Sequence, residues 1–278
     1  MSRLRISAIS YLNTAPLMWD FEHGDAGKDF EISYTLPSLC AKALKDGNAD
    51  IGIIPAAAYA SIPDLVILPG VAIASRQAVR SILLVSKVPV EKIRTIALDT
   101  SSLTSVALIK VLFAKWWNAS PGFHAMEPNL DAMLATHDAA LVIGDPALKI
   151  DRSRYLTWDL AEEWIRWTGK PFVFAFWAVR RAALSETAPS LDLAAVFQQS
   201  RDNGLAAASI NQIAREWSPR LSLAEESIRS YLTYNIYYDL DPACMEGLRL
   251  FYRHAQECGA LPLAPEMRFL FAVNAAIV

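Results

Sequence analysis

Up to Arg180 the chain repeats one pattern: a short apolar strand, a polar turn, then a helix. This alternation restricts the fold more than any other feature, because it places helices against the faces of open sheets. Residues 3–9 alternate polar and apolar side chains and are predicted as a strand, and Pro16 opens a helix to about Phe21. Residues 30–36, rich in aromatic and β-branched side chains, form the next strand. A helix then starts at Pro37–Ser38, with Ser38 as N-cap and Gly47 as stop. Further strands are predicted at 50–54 (ended by Pro55), 65–74, 79–86, 95–98, 139–143 and 172–179, with a helix over 103–117. Beyond Arg180 only helical spacing remains, at 192–203, 206–217, 224–231 and 242–258. The class is α/β with largely parallel sheet and a helical C-terminal segment.

The pattern also echoes itself. Residues 45–55 run through a helix end, a turn, a buried strand and a break at Pro55, and residues 136–146 repeat that order up to Pro146. Two similar lobes would bring these strand ends around one cleft, where open α/β sheets bind their ligands.

Composition excludes several classes. With 53% hydrophobic and 20% charged residues the chain can build a core and is not a disordered protein. Its net charge of −3 offers no basic face for nucleic acid. The three cysteines, Cys40, Cys244 and Cys258, form no CxxC pair and no zinc spacing with His23, His124, His137 and His254, so free thiols are expected. No apolar run reaches the roughly 18–20 residues that span a bilayer, and residues 6–13 are too polar and short for a signal core. No membrane association and a cytoplasmic location are expected. The chain has no GxSxG, Walker A, GxGxxG or HExxH motif, so neither a nucleotide cofactor nor a metal is expected.

What remains is a set of turns rich in hydroxyls and amides at strand-to-helix junctions. They are Ser10, Tyr11, Asn13 and Thr14 ahead of Pro16; Thr100, Ser101, Ser102, Thr104 and Ser105 after Asp99; and Gly144–Asp145. Exposed N–H groups at helix starts favour anions, and neutral Ser, Thr and Asn donors add affinity without charge, which suits a small carboxylate. Ordinary N-capping accounts for any single turn equally well. Ser81 sits in the strand at 79–86 with Arg80 on the opposite face; it either lines the cleft or fills a crowded spot. Phe172, Phe174, Phe176 and Trp177 read as core, His137 as a surface turn, and the segment with Glu162 and Glu163 as a solvated helix.

In order along the chain, the segments Tyr11-Leu12-Asn13-Thr14-Ala15-Pro16-Leu17, Ala49-Asp50-Ile51-Gly52-Ile53-Ile54-Pro55, Asp99-Thr100-Ser101-Ser102 with Thr104-Ser105, Ile143-Gly144-Asp145 and Gly169-Lys170-Pro171-Phe172-Val173-Phe174-Ala175 resemble the MqnA family, the chorismate dehydratases of the futalosine pathway to menaquinone. Pro146 departs from the family pattern, in which a small residue follows. The helical tail carries no diagnostic motif.

The resemblance implies a two-lobed fold like a type II periplasmic binding protein, with lobe 1 at 1–87 plus 178–278, lobe 2 at 88–177 and a ligand cleft between them. It implies chorismate as the small-molecule substrate, no cofactor, and Asn13 and Ser81 as the polar pair at the reacting centre. Ser10, Tyr11, Thr14, Pro55, Thr100, Ser101, Ser102, Thr104, Ser105, Gly144 and Asp145 are then expected to bind substrate. A solute-binding protein and the sibling 1,4-dihydroxy-6-naphthoate synthase share the fold and stay open as alternatives.

Overall fold

Ten strands sort into two five-stranded sheets of matching design in this computed structural model, which describes residues 3–184 and 191–270. The first sheet has the order β2-β1-β3-β10-β4, with β1 Leu4–Ile9, β2 Phe30–Thr35, β3 Ile51–Pro55, β4 Leu65–Ser75 and β10 Phe172–Arg180. The second has the order β7-β6-β8-β5-β9, with β5 Ile82–Ser86, β6 Thr95–Asp99, β7 Gly122–Met126, β8 Ala139–Ile143 and β9 Leu156–Asp159. β1 is parallel to β2 and β3, as β6 is to β7 and β8. The echo between residues 45–55 and 136–146 is therefore structural: β3 and β8 hold the same place in their sheets.

The expectation of largely parallel sheet fails at one strand in each. β10 is antiparallel to β3 and β4, and β5 to β8 and β9. Both strands enter from the opposite lobe. They start at the cleft where β1, β3, β6 and β8 end, so they run the other way. The lobe boundaries at 87/88 and 177/178 need the same correction. β5 is already in the second sheet and all of β10 lies in the first, so the crossings fall at residues 76–81 and 169–171. β7 and β9, which the sequence did not reveal, are short strands at the edges of the second sheet, half-exposed and without clean alternation.

The helical tail encloses the first lobe. The helix Leu193–Leu205 covers the first sheet, where the Phe197 ring lies 4.7 Å from Trp177. Both side chains are fully buried, each contributing about 1.5–3 kcal/mol. Gly204 lets this helix approach the turn Leu12–Met18: a Cβ there would lie 1.9 Å from the Pro16 carbonyl oxygen. Phe172, Phe176 and Trp177 are core, as expected. Further along, Tyr238 and Tyr237 add a backbone pairing to β4 beside the crossing, with Ala72 N–H donating to the Tyr238 carbonyl at 2.9 Å. The end of the tail, residues 271–278, lies outside the described residues. Among the described residues no helix is long and apolar enough to cross a membrane.

Candidate active site

Both lobes contribute to one small cavity at the cleft, about 40 Å³ in volume. The first lobe supplies Ile9 at the end of β1, Tyr11 and Asn13 after it, Pro37 and Pro55 at two helix starts, and Ile73, Phe174 and Ala175 from β4 and β10 beside the crossings. The second side supplies Ser81, Ile82, Ser102, Ile143 and Gly144. The walls are apolar, and the polar groups among them are neutral. Phe174, read from sequence as core, is also a wall of this cavity.

Asn13 sits in the 3₁₀ turn Leu12–Met18 that follows β1. That turn has Tyr11 at its N-cap and no side-chain cap, so Asn13 is not engaged in capping. Its side chain instead accepts from the Thr14 hydroxyl at 3.4 Å and lies beside the hydroxyl of Tyr231. The Ser38 N-cap fails too: Leu36 is the cap and Pro37 the first residue of the helix Pro37–Lys45.

Ser81 precedes β5 and does not belong to it. Arg80 has φ +64°, a left-handed conformation that strains any side chain with a Cβ. It ends the alternation expected across 79–86. The buried Asp159 carboxylate holds the turn in place, accepting from Val79 N–H at 3.1 Å and Arg80 N–H at 2.6 Å. Ser81 is thereby turned to the cavity, where the Tyr231 hydroxyl donates to its Oγ at 2.9 Å. Its carbonyl accepts from Gly144 N–H at 2.8 Å.

Gly144 caps the short helix Asp145–Leu148 at φ +65°, ψ −148°, a region essentially reserved for glycine. Pro146 falls in the first turn of that helix, where proline is well tolerated, so this departure from the family pattern leaves the helix start intact. A Cβ on Gly144 would lie 2.6 Å from Cε2 of Tyr11, which reaches across the cleft. Gly144→Ala is therefore expected to cost about 1–3 kcal/mol from backbone strain and to raise KM by pushing the Tyr11 ring off the opposite wall. Thermal melting beside steady-state kinetics checks both, and an unchanged KM would show that the ring contact is dispensable.

The lobes also meet directly. Leu12 N–H donates to both oxygens of Asp145, at 3.1 and 3.3 Å, and Ser38 N–H donates to the Ser101 carbonyl at 2.9 Å. The Ser101 hydroxyl donates to the Asp99 carboxylate at 2.6 Å and lies beside the Tyr11 phenol. Burial pushes the Asp145 carboxyl up to about 6 despite the Leu12 contacts. Because this pKa is raised from about 3.9, the folded state favours the protonated acid. The associated stability is full below about pH 4, declines as pH rises toward 6 and is then level. Denaturation of Asp145→Asn across that window is expected to lack this decline; an identical pH dependence in the variant would place it on another group.

Tyr11, Asn13, Pro55, Ser81, Ser102 and Gly144 thus meet at one cavity, with Asp145 and Ser101 at the contact between its walls. The others are placed elsewhere. Ser10 is exposed at the rim, its hydroxyl donating to the Thr35 carbonyl, and Thr100 is exposed on its loop. Thr14 faces a neighbouring pocket beside Trp217 and Arg220. Thr104 ties the lobes together, accepting from Ala57 N–H and donating to the Phe174 carbonyl, both at 3.0 Å. Ser105 is buried behind the cap of the helix Leu103–Lys115, its hydroxyl donating to Ser102 at 3.1 Å. Glu163 is not solvated: it is buried, accepting from Trp116 and Arg166 away from the cleft. Tyr231 was missed because the tail carries no local motif.

Comparison with known proteins agrees with this architecture. The chain is 29% identical over 273 residues to a chorismate dehydratase of Thermus thermophilus, covering 92% of this chain and 94% of that protein. Among solved structures, a protein of Archaeoglobus fulgidus superposes with TM-score 0.69 at 18% identity, over 93% of this chain and 98% of that one. The periplasmic aliphatic sulphonate binding protein of Escherichia coli superposes at 0.64 with 16% identity, over 100% and 96% of the two chains. The fold is that of the periplasmic binding proteins. A family model described as menaquinone biosynthesis matches residues 4–257, and the chain belongs to that menaquinone biosynthesis family.

Proposed function

We propose that the chain is a chorismate dehydratase, a hydro-lyase that converts chorismate to 3-[(1-carboxyvinyl)oxy]benzoate and water. The observation that carries this reading is the meeting of Asn13 and Ser81, from opposite sides of the cleft, on one apolar-walled cavity. Family membership and the similarity to the Thermus thermophilus enzyme support it.

The elimination removes a proton from the ring carbon bearing the enolpyruvyl ether and hydroxide from the adjacent carbon. That C–H bond is vinylogous to the ring carboxylate, so donors on this carboxylate stabilise the developing dienolate. Aromatisation supplies the driving force. Ser102, at the start of the helix Leu103–Lys115, brings a helix N-terminus to the cavity, suited to one substrate carboxylate. Asn13 and Ser81 hydrogen-bond the departing hydroxyl or the second carboxylate. The proton acceptor is a substrate carboxylate held by the cleft. Asp145 is tied to Leu12 N–H, so Asp145→Asn is expected to keep most turnover. Removing a true general base costs on the order of 10²–10⁴ in rate.

The test is an assay of the purified chain with chorismate, following loss of one water by mass. Turnover to the lighter aromatic product supports the dehydratase. Chorismate bound and recovered unchanged would make the chain a binding protein instead.

A further inference from the structure

Tyr231 opens the π-helical turn Tyr231–Asn235, directly after the helix Glu225–Ser230. Single π turns inside helical segments occur frequently at functional sites. The side chain is 1% exposed, yet its hydroxyl has a partner. It stands 2.9 Å from Ser81 Oγ, a residue 150 positions away, with the Asn13 amide beside it. One phenol therefore holds Ser81 and borders Asn13, the two side chains placed at the reacting centre.

A phenol has one proton to give. Here it goes to Ser81 Oγ. Among the described residues the Ser81 hydroxyl has no other partner. Having accepted, it must send its own proton elsewhere, and Ser81 lines the cavity. Burial keeps the phenol protonated well above neutral pH, so its donor is available throughout the working range.

We propose that Tyr231 is a positioning residue of this enzyme: by giving a hydrogen bond to Ser81, it turns the Ser81 O–H into the cavity as a donor to the substrate. Hydrogen bonds in such a chain polarise one another, which strengthens the terminal donor where charge develops. The inference rests on the dehydratase reading.

The experiment compares wild type, Tyr231→Phe, Ser81→Ala and the double variant with chorismate. Phe keeps the ring and removes only the hydroxyl. The expected result is a kcat at least tenfold lower in Tyr231→Phe with KM within about threefold, since the loss lies in orienting one donor. In the Ser81→Ala background the same change is expected to add nothing, because the relay has no terminus. Proton NMR supplies a readout independent of turnover: a slowly exchanging hydroxyl signal, absent in Tyr231→Phe and shifted in Ser81→Ala. Normal wild-type turnover with an unchanged Tyr231→Phe kcat, a fully additive double variant, or no such signal would overturn the relay alone. A wild-type chain that leaves chorismate unchanged would overturn the dehydratase reading and the kinetic role of Tyr231 with it, whatever the NMR signal shows.

Discussion

Asn13→Ala is expected to lower chorismate turnover by on the order of 10²–10³, the usual cost of removing one well-placed polar group from a transition state, while the melting temperature barely moves. Had Asn13 capped its helical turn, the substitution would cost about 1 kcal/mol of stability and leave kcat intact. The turn Leu12–Met18 has no side-chain cap, and the Asn13 side chain instead accepts from the Thr14 hydroxyl at the edge of the cavity. Thermal melting beside the mass-resolved assay separates the two outcomes. A variant that melts early but turns over normally would assign Asn13 to structure and remove it from the reacting centre.

Asp159→Ala is expected to be the most damaging substitution outside the cavity, costing about 3 kcal/mol or more. The buried carboxylate accepts from four backbone N–H groups: Val79 at 3.1 Å, Arg80 at 2.6 Å, Ala161 at 3.1 Å and Glu162 at 3.3 Å. The last two are an N-cap of the helix Leu160–Thr168, alone worth about 0.5–2 kcal/mol. The first two are charge-assisted bonds, each worth roughly 1.5–3 kcal/mol when left unmade. They also hold Arg80 in its left-handed conformation, immediately before Ser81. Turnover is therefore expected to fall together with stability. Adding Arg80→Gly is expected to restore part of the loss, because glycine adopts φ above zero without strain. Chemical denaturation and kinetics on both variants check this. Lost stability with normal kcat would confine Asp159 to capping its helix and free Ser81 from its influence.

Much of the architecture could be read from residues close together in sequence. Strand and helix periodicity is set by neighbours two to four residues apart, so β1, β3, β8 and the tail helices fall close to where hydrophobic spacing puts them. The resemblance between residues 45–55 and 136–146 belongs to the same level, since each strand is short, buried and broken at its end. Asn13, Ser102 and Gly144 were visible as polar or glycine positions at strand ends, where helices begin.

Tertiary structure decided the rest. Whether a strand runs parallel or antiparallel depends on which lobe it comes from, and nothing within β5 or β10 records that. The neutral polar side chains of Thr104 and Asn13, both at strand-to-helix turns, have opposite fates, because one meets Ala57 and Phe174 between the lobes and the other meets the cavity. Ser81 faces the cavity only because Asp159 folds back onto Arg80, and its partner Tyr231 arrives from 150 residues away. The sequence by itself determined the elements and the polar turns, since local periodicity and backbone preference act over a few residues. Which turns face one another was decided by the packing of the two lobes, since the contacts across the cleft join residues that share no local pattern.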